Sequence, residues 1–160
     1  MKMLLGALGY DAEVEQYTGA NWSINVAKRA LNIGLDDDLV GDFNGVKAVN
    51  REEACLYALN TLTADMVEYD AKTTVSTNGT TVVIAGSKAK EMVNNGNTDG
   101  KIFGKDGVMQ FAEKYFDNLS VKTGSDDFAR PANVWKLKAE EIGTYANTPD
   151  ATYTAKVEGG

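Results

Sequence analysis

Histidine is absent from this 160-residue chain, cysteine occurs once and proline twice. Without an imidazole there is no common general base, no Ser-His-Asp triad, no Cys-His pair and no His-containing zinc site. A lone Cys55 excludes an internal disulfide, and its place on an apolar helical stripe predicts a buried thiol rather than a nucleophile. No run of about 18 apolar residues is present, so no membrane-spanning helix is expected. What remains is chiefly carboxylate chemistry. The acidic pairs Asp126-Asp127 and Glu140-Glu141 are merely adjacent in sequence, which does not define the separation that a glycosidase needs. The expectation is a protein without catalytic activity, cofactor or resident metal.

The chain is 43% hydrophobic and 24% charged, ordinary globular material with length for one sizeable core or two small ones. Its net charge of -7 lies wholly in the first half: residues 1–70 carry 5 basic and 12 acidic groups, residues 71–160 carry 11 of each. A phosphate backbone or an anionic bilayer is bound by clustered Lys and Arg, so neither nucleic acid nor membrane insertion is expected.

The opening "MKMLLGALGY" has no small-residue cleavage site before Asp11 and does not read as a signal peptide. It reads as the last turns of a helix with Gly9 as C-cap, and the chain is expected to start inside a longer protein. "NWSINVAKRALNIGL" places Trp22, Val26, Ala30 and Ile33 on one helical face, with Ala27 and Leu31 widening it and Gly34 ending it. Asp36, Asp37 and Asp38 open a solvated connecting loop.

The next stretch, "GDFNGVKAVNREEACLYALNTL", has two readings. As a calcium loop it places Asp42, Asn44 and Glu53 at positions 1, 3 and 12, but Val46 and Lys47 occupy positions 5 and 6, where an oxygen ligand and a Gly belong. As a helix start it fits: Asn50 is the N-cap, Glu53 completes a capping box, and Val49 and Ala54 form a hydrophobic staple. Cys55, Ala58, Leu59, Leu62 and Met66 then mark the buried face of a helix from Arg51 to about Met66. Residues 1–67 read as all-helical.

Beyond them the composition changes. "TTVSTNGTTVVI" is a hairpin around Asn78-Gly79, "GVMQFAEKYFDNL" a helix with Val108, Phe111, Ala112, Tyr115 and Leu119 on one face, and "LSVKT", "NVWKLKA" and "ATYTAKV" are strands. The fold class is α+β: a helical region over residues 1–68, then residues 69–160 as a small, mainly antiparallel sheet with one covering helix. Within the latter, Asn95, Asn97, Asp99, Gly100 and Asp106 occupy positions 1, 3, 5, 6 and 12 of a calcium-loop pattern. With two carboxylates in that set, a polar Gly/Asn loop is the simpler account, and a calcium-dependent surface protein-protein interaction module using Asn95–Asp106 is the alternative function.

Trp22 near a helix start, "ALNIGL", an acidic loop with "GDFN" and "VNREEA" opening a helix form an ordered set over some forty residues. This order resembles the S-layer homology domain, whose repeats run helix, loop, helix and whose second helix opens on a Thr-Arg-Ala-Glu motif, read here as Asn50-Arg51-Glu52-Glu53. "MLLGALGY" is similar to the end of a preceding repeat, and "FARPANVWK", "EIGTYA" and "TYTAKV" resemble a segment that follows such repeats in bacterial surface proteins. The resemblance implies non-covalent anchoring at the cell surface to a secondary cell-wall polysaccharide, often pyruvylated, in grooves between neighbouring repeats. Trp22, Gly34, Asn50 and Arg51 would be the polysaccharide-binding residues, with Arg51 giving a bidentate partner to a sugar carboxylate. Two departures stand out: Asn50 replaces Thr, and Glu52 replaces Ala and adds negative charge beside the anion site.

Overall fold

The structure, a computed structural model, describes residues 1–70, 73–77, 80–84 and 88–148, with the backbone alone for 73–77 and 80–84. The Asn78-Gly79 turn and the strand expected at 151–157 lie outside the described residues. Helices and antiparallel strands coexist, so the fold is α+β.

Three helices open the chain: α1 (Lys2–Ala7), α2 (Trp22–Asn32) and α3 (Arg51–Thr63). The first two end in the same way. At α1, Gly9 N–H donates to Gly6 C=O at 3.1 Å and Tyr10 N–H to Leu5 C=O at 3.0 Å; at α2, Gly34 N–H donates to Leu31 C=O at 3.2 Å and Leu35 N–H to Ala30 C=O at 3.0 Å. Both are Schellman motifs, with glycine at φ +101° and +71° and a buried apolar pair, Leu5 with Tyr10 and Ala30 with Leu35, closing each end. A third, single-turn version follows α1: Gln16 N–H donates to Glu13 C=O at 3.2 Å and Tyr17 N–H to Ala12 C=O at 2.7 Å. Its left-handed position carries Gln16 at φ 56° in place of glycine, a conformation that costs an L residue about 1–2 kcal/mol.

Leu5, Leu8, Tyr10, Tyr17, Val26, Ala30, Leu35, Met66 and Val67 form one buried cluster. The face of α2 that points into it carries Val26 and Ala30, with Ile33 packed alongside; Trp22, expected on that face, is 45% exposed.

The α3 N-terminus has the expected capping box: Asn50 Oδ1 accepts from Glu53 N–H at 2.8 Å, and Glu53 Oε2 accepts from Asn50 N–H at 3.0 Å. Its buried face differs from the expected one. Tyr57 and Thr61 are buried, while Cys55 is exposed and Leu59 is 47% exposed. Thr61 tolerates burial because its hydroxyl donates to Tyr57 C=O at 2.7 Å. No buried staple forms, since Val49 is 55% exposed and Ala54 is exposed too. The helix stops at Thr63, and Met66 reaches the core from an extended segment instead.

That segment explains where the chain divides. β1 (Val67–Glu68) pairs antiparallel with β4 (Lys90–Glu91), and between them β2 (Thr73–Thr77) pairs with β3 (Thr80–Ile84) in the register Thr77↔Thr80 expected of the hairpin. Three methionines then close a ring of backbone hydrogen bonds: Met66 N–H to Met109 C=O at 2.8 Å, Met109 N–H to Met92 C=O at 2.7 Å and Met92 N–H to Met66 C=O at 2.9 Å. Val67 N–H also donates to Leu8 C=O at 2.9 Å. Residues past the composition change therefore complete the same core as the helices, and the first compact unit runs Met1–Asp117 rather than ending at residue 68.

The expected covering helix shrinks to α4 (Phe111–Tyr115), which lies in this first unit and packs on α3, with Phe111 N–H donating to Ala64 C=O at 3.1 Å. Val108 leaves the helix to bridge Val93, and Leu119 belongs to a strand. The second unit starts at Asn118 and holds an antiparallel sheet in the order β5 (Leu119–Ser125), β6 (Pro131–Leu137), β7 (Glu140–Ala146), with a bulge between Trp135 and Lys136. No helix among the described residues is long and apolar enough to cross a membrane.

Candidate functional site

The acidic loop and the start of α3 are held by local hydrogen bonds. Asn44 Oδ1 accepts from Val46 N–H at 3.1 Å, and Lys47 Nζ reaches Glu53 Oε1 at 3.1 Å. The Asn50 backbone N–H, the larger cause, and the Lys47 ammonium hold the Glu53 carboxyl below its usual range. Asn44 and Glu53 thus serve a turn and a cap. Arg51 occupies N1 beside them, exposed and without an ion pair among the described residues. Next to it a shallow cleft of about 130 Å³ is lined by Asp38, Asn50, Glu52 and Glu53, an acidic wall on which an anion is disfavoured. Arg51 itself does not line that cleft.

Trp22 opens α2 with Lys2 Nζ 5.4 Å from its ring centroid, a cation–π contact on one face of a half-exposed indole. Gly34 has a backbone role: its φ of +71° is the left-handed cap of α2, and a Cβ there would displace the Asp37 carboxylate. It borders a 250 Å³ cleft with Asp37, Asn60, Thr63, Asp65 and Gly104, and Asn60 Nδ2 closes that end by donating to Leu35 C=O at 3.2 Å and Asp37 C=O at 2.9 Å. At 1.5 Å rise per residue, Gly34 lies roughly 18 Å from the start of α2, and the Asn60 end of α3 roughly 14 Å from Arg51. Asn50 and Arg51 sit together at one helix start, whereas Trp22 and Gly34 occupy opposite ends of α2. One sugar ring cannot bridge all four.

The Asn95–Asp106 loop is organised around the buried carboxyl group of Glu113. Glu113, 2% exposed, accepts from Asn94 Nδ2 at 2.7 Å through Oε2 and from Ile102 N–H at 3.3 Å through Oε1. Asp99 Oδ1 accepts from Gly107 N–H at 3.0 Å, and Asn94 Oδ1 from Gly96 N–H at 3.0 Å. Calcium needs oxygens converging on a point; here N–H groups converge on a carboxylate, and Asn95, Asn97 and Asp106 face outward, exposed. Among the described residues no group of three or more Asp, Glu or Cys side chains is arranged to hold a metal ion.

A polar cluster around Glu15 was not anticipated from the sequence. Arg29 Nη2 pairs with Glu15 Oε2 at 2.7 Å, Tyr69 Oη donates to Glu15 Oε1 at 2.8 Å, and the guanidinium lies 5.2 Å from the Tyr10 ring centroid. Burial, reinforced by the Glu15 charge, pushes the Tyr17 hydroxyl up to about 12 and raises Tyr69 further. The Tyr17 hydroxyl makes no hydrogen bond of normal geometry, although Arg29 is near enough to oppose its upward shift. Outside this cluster opens a cleft of about 310 Å³ between one polar face of α2, carrying Asn25, Lys28 and Asn32, and the segment Glu15–Gln16. The spacing of Asn25, Lys28 and Asn32 was legible as a polar helical stripe; the facing segment was not. Comparison with known family models, characterised proteins and solved structures finds no match to this chain.

Proposed function

We propose that the chain is a non-catalytic cell-wall-anchoring part of a bacterial surface protein, binding a secondary cell-wall polysaccharide at the cell surface, with neighbouring S-layer-homology-like repeats completing the groove. The carrying observation is Arg51: a guanidinium at the first position of a capped helix, exposed and without an ion pair among the described residues, in a half of the chain where basic groups are scarce. A cation left unneutralised among so many carboxylates is available to an acidic sugar, and the free N–H groups of the helix start favour the same sign of ligand. The helix-loop-helix from α2 to α3 supports the reading, because Trp22, "GDFN" and the Arg51 motif fall on it in the order the resemblance implies. Glu52 works against it and tunes affinity downward.

The experiment is retention on sacculi from a Gram-positive wall carrying a pyruvylated secondary polymer, with sacculi stripped of that polymer as control. Weak retention of the unaltered chain on intact but not stripped sacculi is expected, because this chain supplies one wall of a groove that neighbouring repeats complete. Arg51→Ala should lose on the order of 1.5–3 kcal/mol of binding without a change in melting temperature, and Arg51→Lys should recover part of it. Equal retention on both kinds of sacculi overturns the reading, and undiminished binding by Arg51→Ala removes this residue from the site.

A further inference from the structure

We infer that the cleft between α2 and the Glu15–Gln16 segment is a binding subsite for a carboxylate-bearing sugar, distinct from the Arg51 end of α3. The inference rests on the anchoring reading above, and deepens it by adding a subsite for the same class of polymer.

Charge is the first argument. Lys28 and Arg29 bring two cations to the cleft and Glu15 one carboxylate, and that carboxylate is already held by Arg29 and by the Tyr69 hydroxyl. The cleft is therefore net positive in a half-chain with 5 basic and 12 acidic groups. Lys28 is exposed and has no hydrogen bond or ion pair among the described residues, so its ammonium is available to a ligand.

Shape and lining are the second. At about 310 Å³ the cleft is at the lower end of small-molecule sites. Among the described residues Val14 is the one apolar residue that lines it and no aromatic ring does, which disfavours a nucleobase; Gln16, Asn25 and Asn32 supply carboxamides that can both donate to and accept from hydroxyls. Hydroxyl-rich and anionic describes an acidic sugar.

Preorganisation is the third. The walls are tied together by the Arg29–Glu15 pair at 2.7 Å and by Asn25 Nδ2 donating to Gln16 C=O at 3.0 Å, so little is lost in ordering them on binding. Gln16 occupies a left-handed cap position at φ 56°, where the equivalent positions after α1 and α2 carry Gly9 and Gly34. A strained carboxamide kept beside a polar cleft places its side chain where a ligand would meet it.

The test uses the full chain, oligogalacturonate as the acidic probe and a neutral cello-oligosaccharide of equal length, followed by amide NMR titration, with sacculus retention measured on the same proteins. Oligogalacturonate should perturb the amides of residues 14–16 and 25–32 and the neutral probe should not. Lys28→Gln and Asn32→Asp should each weaken oligogalacturonate and sacculus binding at least fivefold with unchanged melting, while Lys28→Arg keeps most of it. Equal response to both probes, or oligogalacturonate bound by both variants as by the unaltered chain, overturns the subsite. Sacculus retention that is present but insensitive to Lys28→Gln and Asn32→Asp also overturns it, leaving the anchoring reading standing. If the unaltered chain is not retained on sacculi at all, the anchoring reading fails, and the oligogalacturonate arm decides the cleft by itself.

Discussion

Asn94 Nδ2 donates to Glu113 Oε2 at 2.7 Å, linking a loop residue to a buried helical carboxylate nineteen positions away. Glu113 also accepts from Ile102 N–H, so a side chain of the protein's own gathers the 94–107 loop. Glu113→Gln keeps the shape but turns an amide group toward one of these N–H donors. A loss of about 1–3 kcal/mol in urea unfolding is expected, with Glu113→Ala at least as costly. An unchanged midpoint would mean that the carboxylate does not organise the loop. The same geometry predicts that melting in millimolar calcium and in chelator coincide, since a ligand that bound only the native state would raise the transition; a rise of several degrees would restore the calcium-module reading of Asn95–Asp106.

Cys55 lies on the exposed side of α3. A thiol reagent should therefore label the native protein at nearly the rate seen in denaturant, with no protection from the fold. Slow native labelling would show that the Cys55–Leu59 face is covered in solution.

Gly9 and Gly19 both have positive φ, +101° and +77°, but differ in surroundings. A Cβ at position 9 would stand 2.1 Å from the Val67 carbonyl oxygen, whereas nothing lies within 4 Å of one at position 19. Gly19→Ala should cost about 1 kcal/mol from backbone conformation alone. Gly9→Ala should cost clearly more, because the contact also carries the Val67 N–H to Leu8 C=O hydrogen bond that joins α1 to β1. Equal losses in chemical unfolding would place the α1–β1 contact outside the stabilising core.

Titration acts at both ends of the pH scale. Glu53 and Asp126 have lowered folded-state pKa values, through the Asn50 N–H and Lys47 at one and the Arg130 side chain at the other. Their contributions are complete above the ordinary carboxylate range and are lost as pH falls through the depressed folded values. Tyr17 and Tyr69 are raised by burial, Tyr17 to about 12. Their contributions are complete below the ordinary tyrosine value near pH 10 and are lost as pH rises through the raised ones. Melting temperature should be flat between these limits, and tyrosinate absorbance should show at least two tyrosines ionising only with unfolding. Full ionisation of every tyrosine near pH 10 in the folded protein would contradict the buried Tyr17–Glu15–Tyr69 cluster.

Features that depend on a few neighbouring residues were legible in the sequence. The Asn50–Glu53 capping box, the glycine ends after α1 and α2, the pairing of 73–77 with 80–84 and the strands at 119 and 131 each follow from local propensity and short hydrogen bonds. The face that α3 buries was not, because its apolar stripe of Cys55, Leu59 and Leu62 was as good a candidate as the Tyr57–Thr61 side. Packing on α4 and the ring of Met66, Met92 and Met109 accompanies burial of the other side, and the Thr61 hydroxyl satisfied within its own helix removes the penalty that would have opposed it. The compact unit likewise extends past the composition change at residue 69, since backbone pairing between distant segments needs no shared composition. Arg51, as an exposed N1 residue, was local and readable; the α2 cleft was only half so. Its helical stripe is written in the spacing of Asn25, Lys28 and Asn32, but the wall that makes it a cleft is set by Glu15, anchored to a tyrosine 54 residues away, and a contact of that range exists only once the chain has folded.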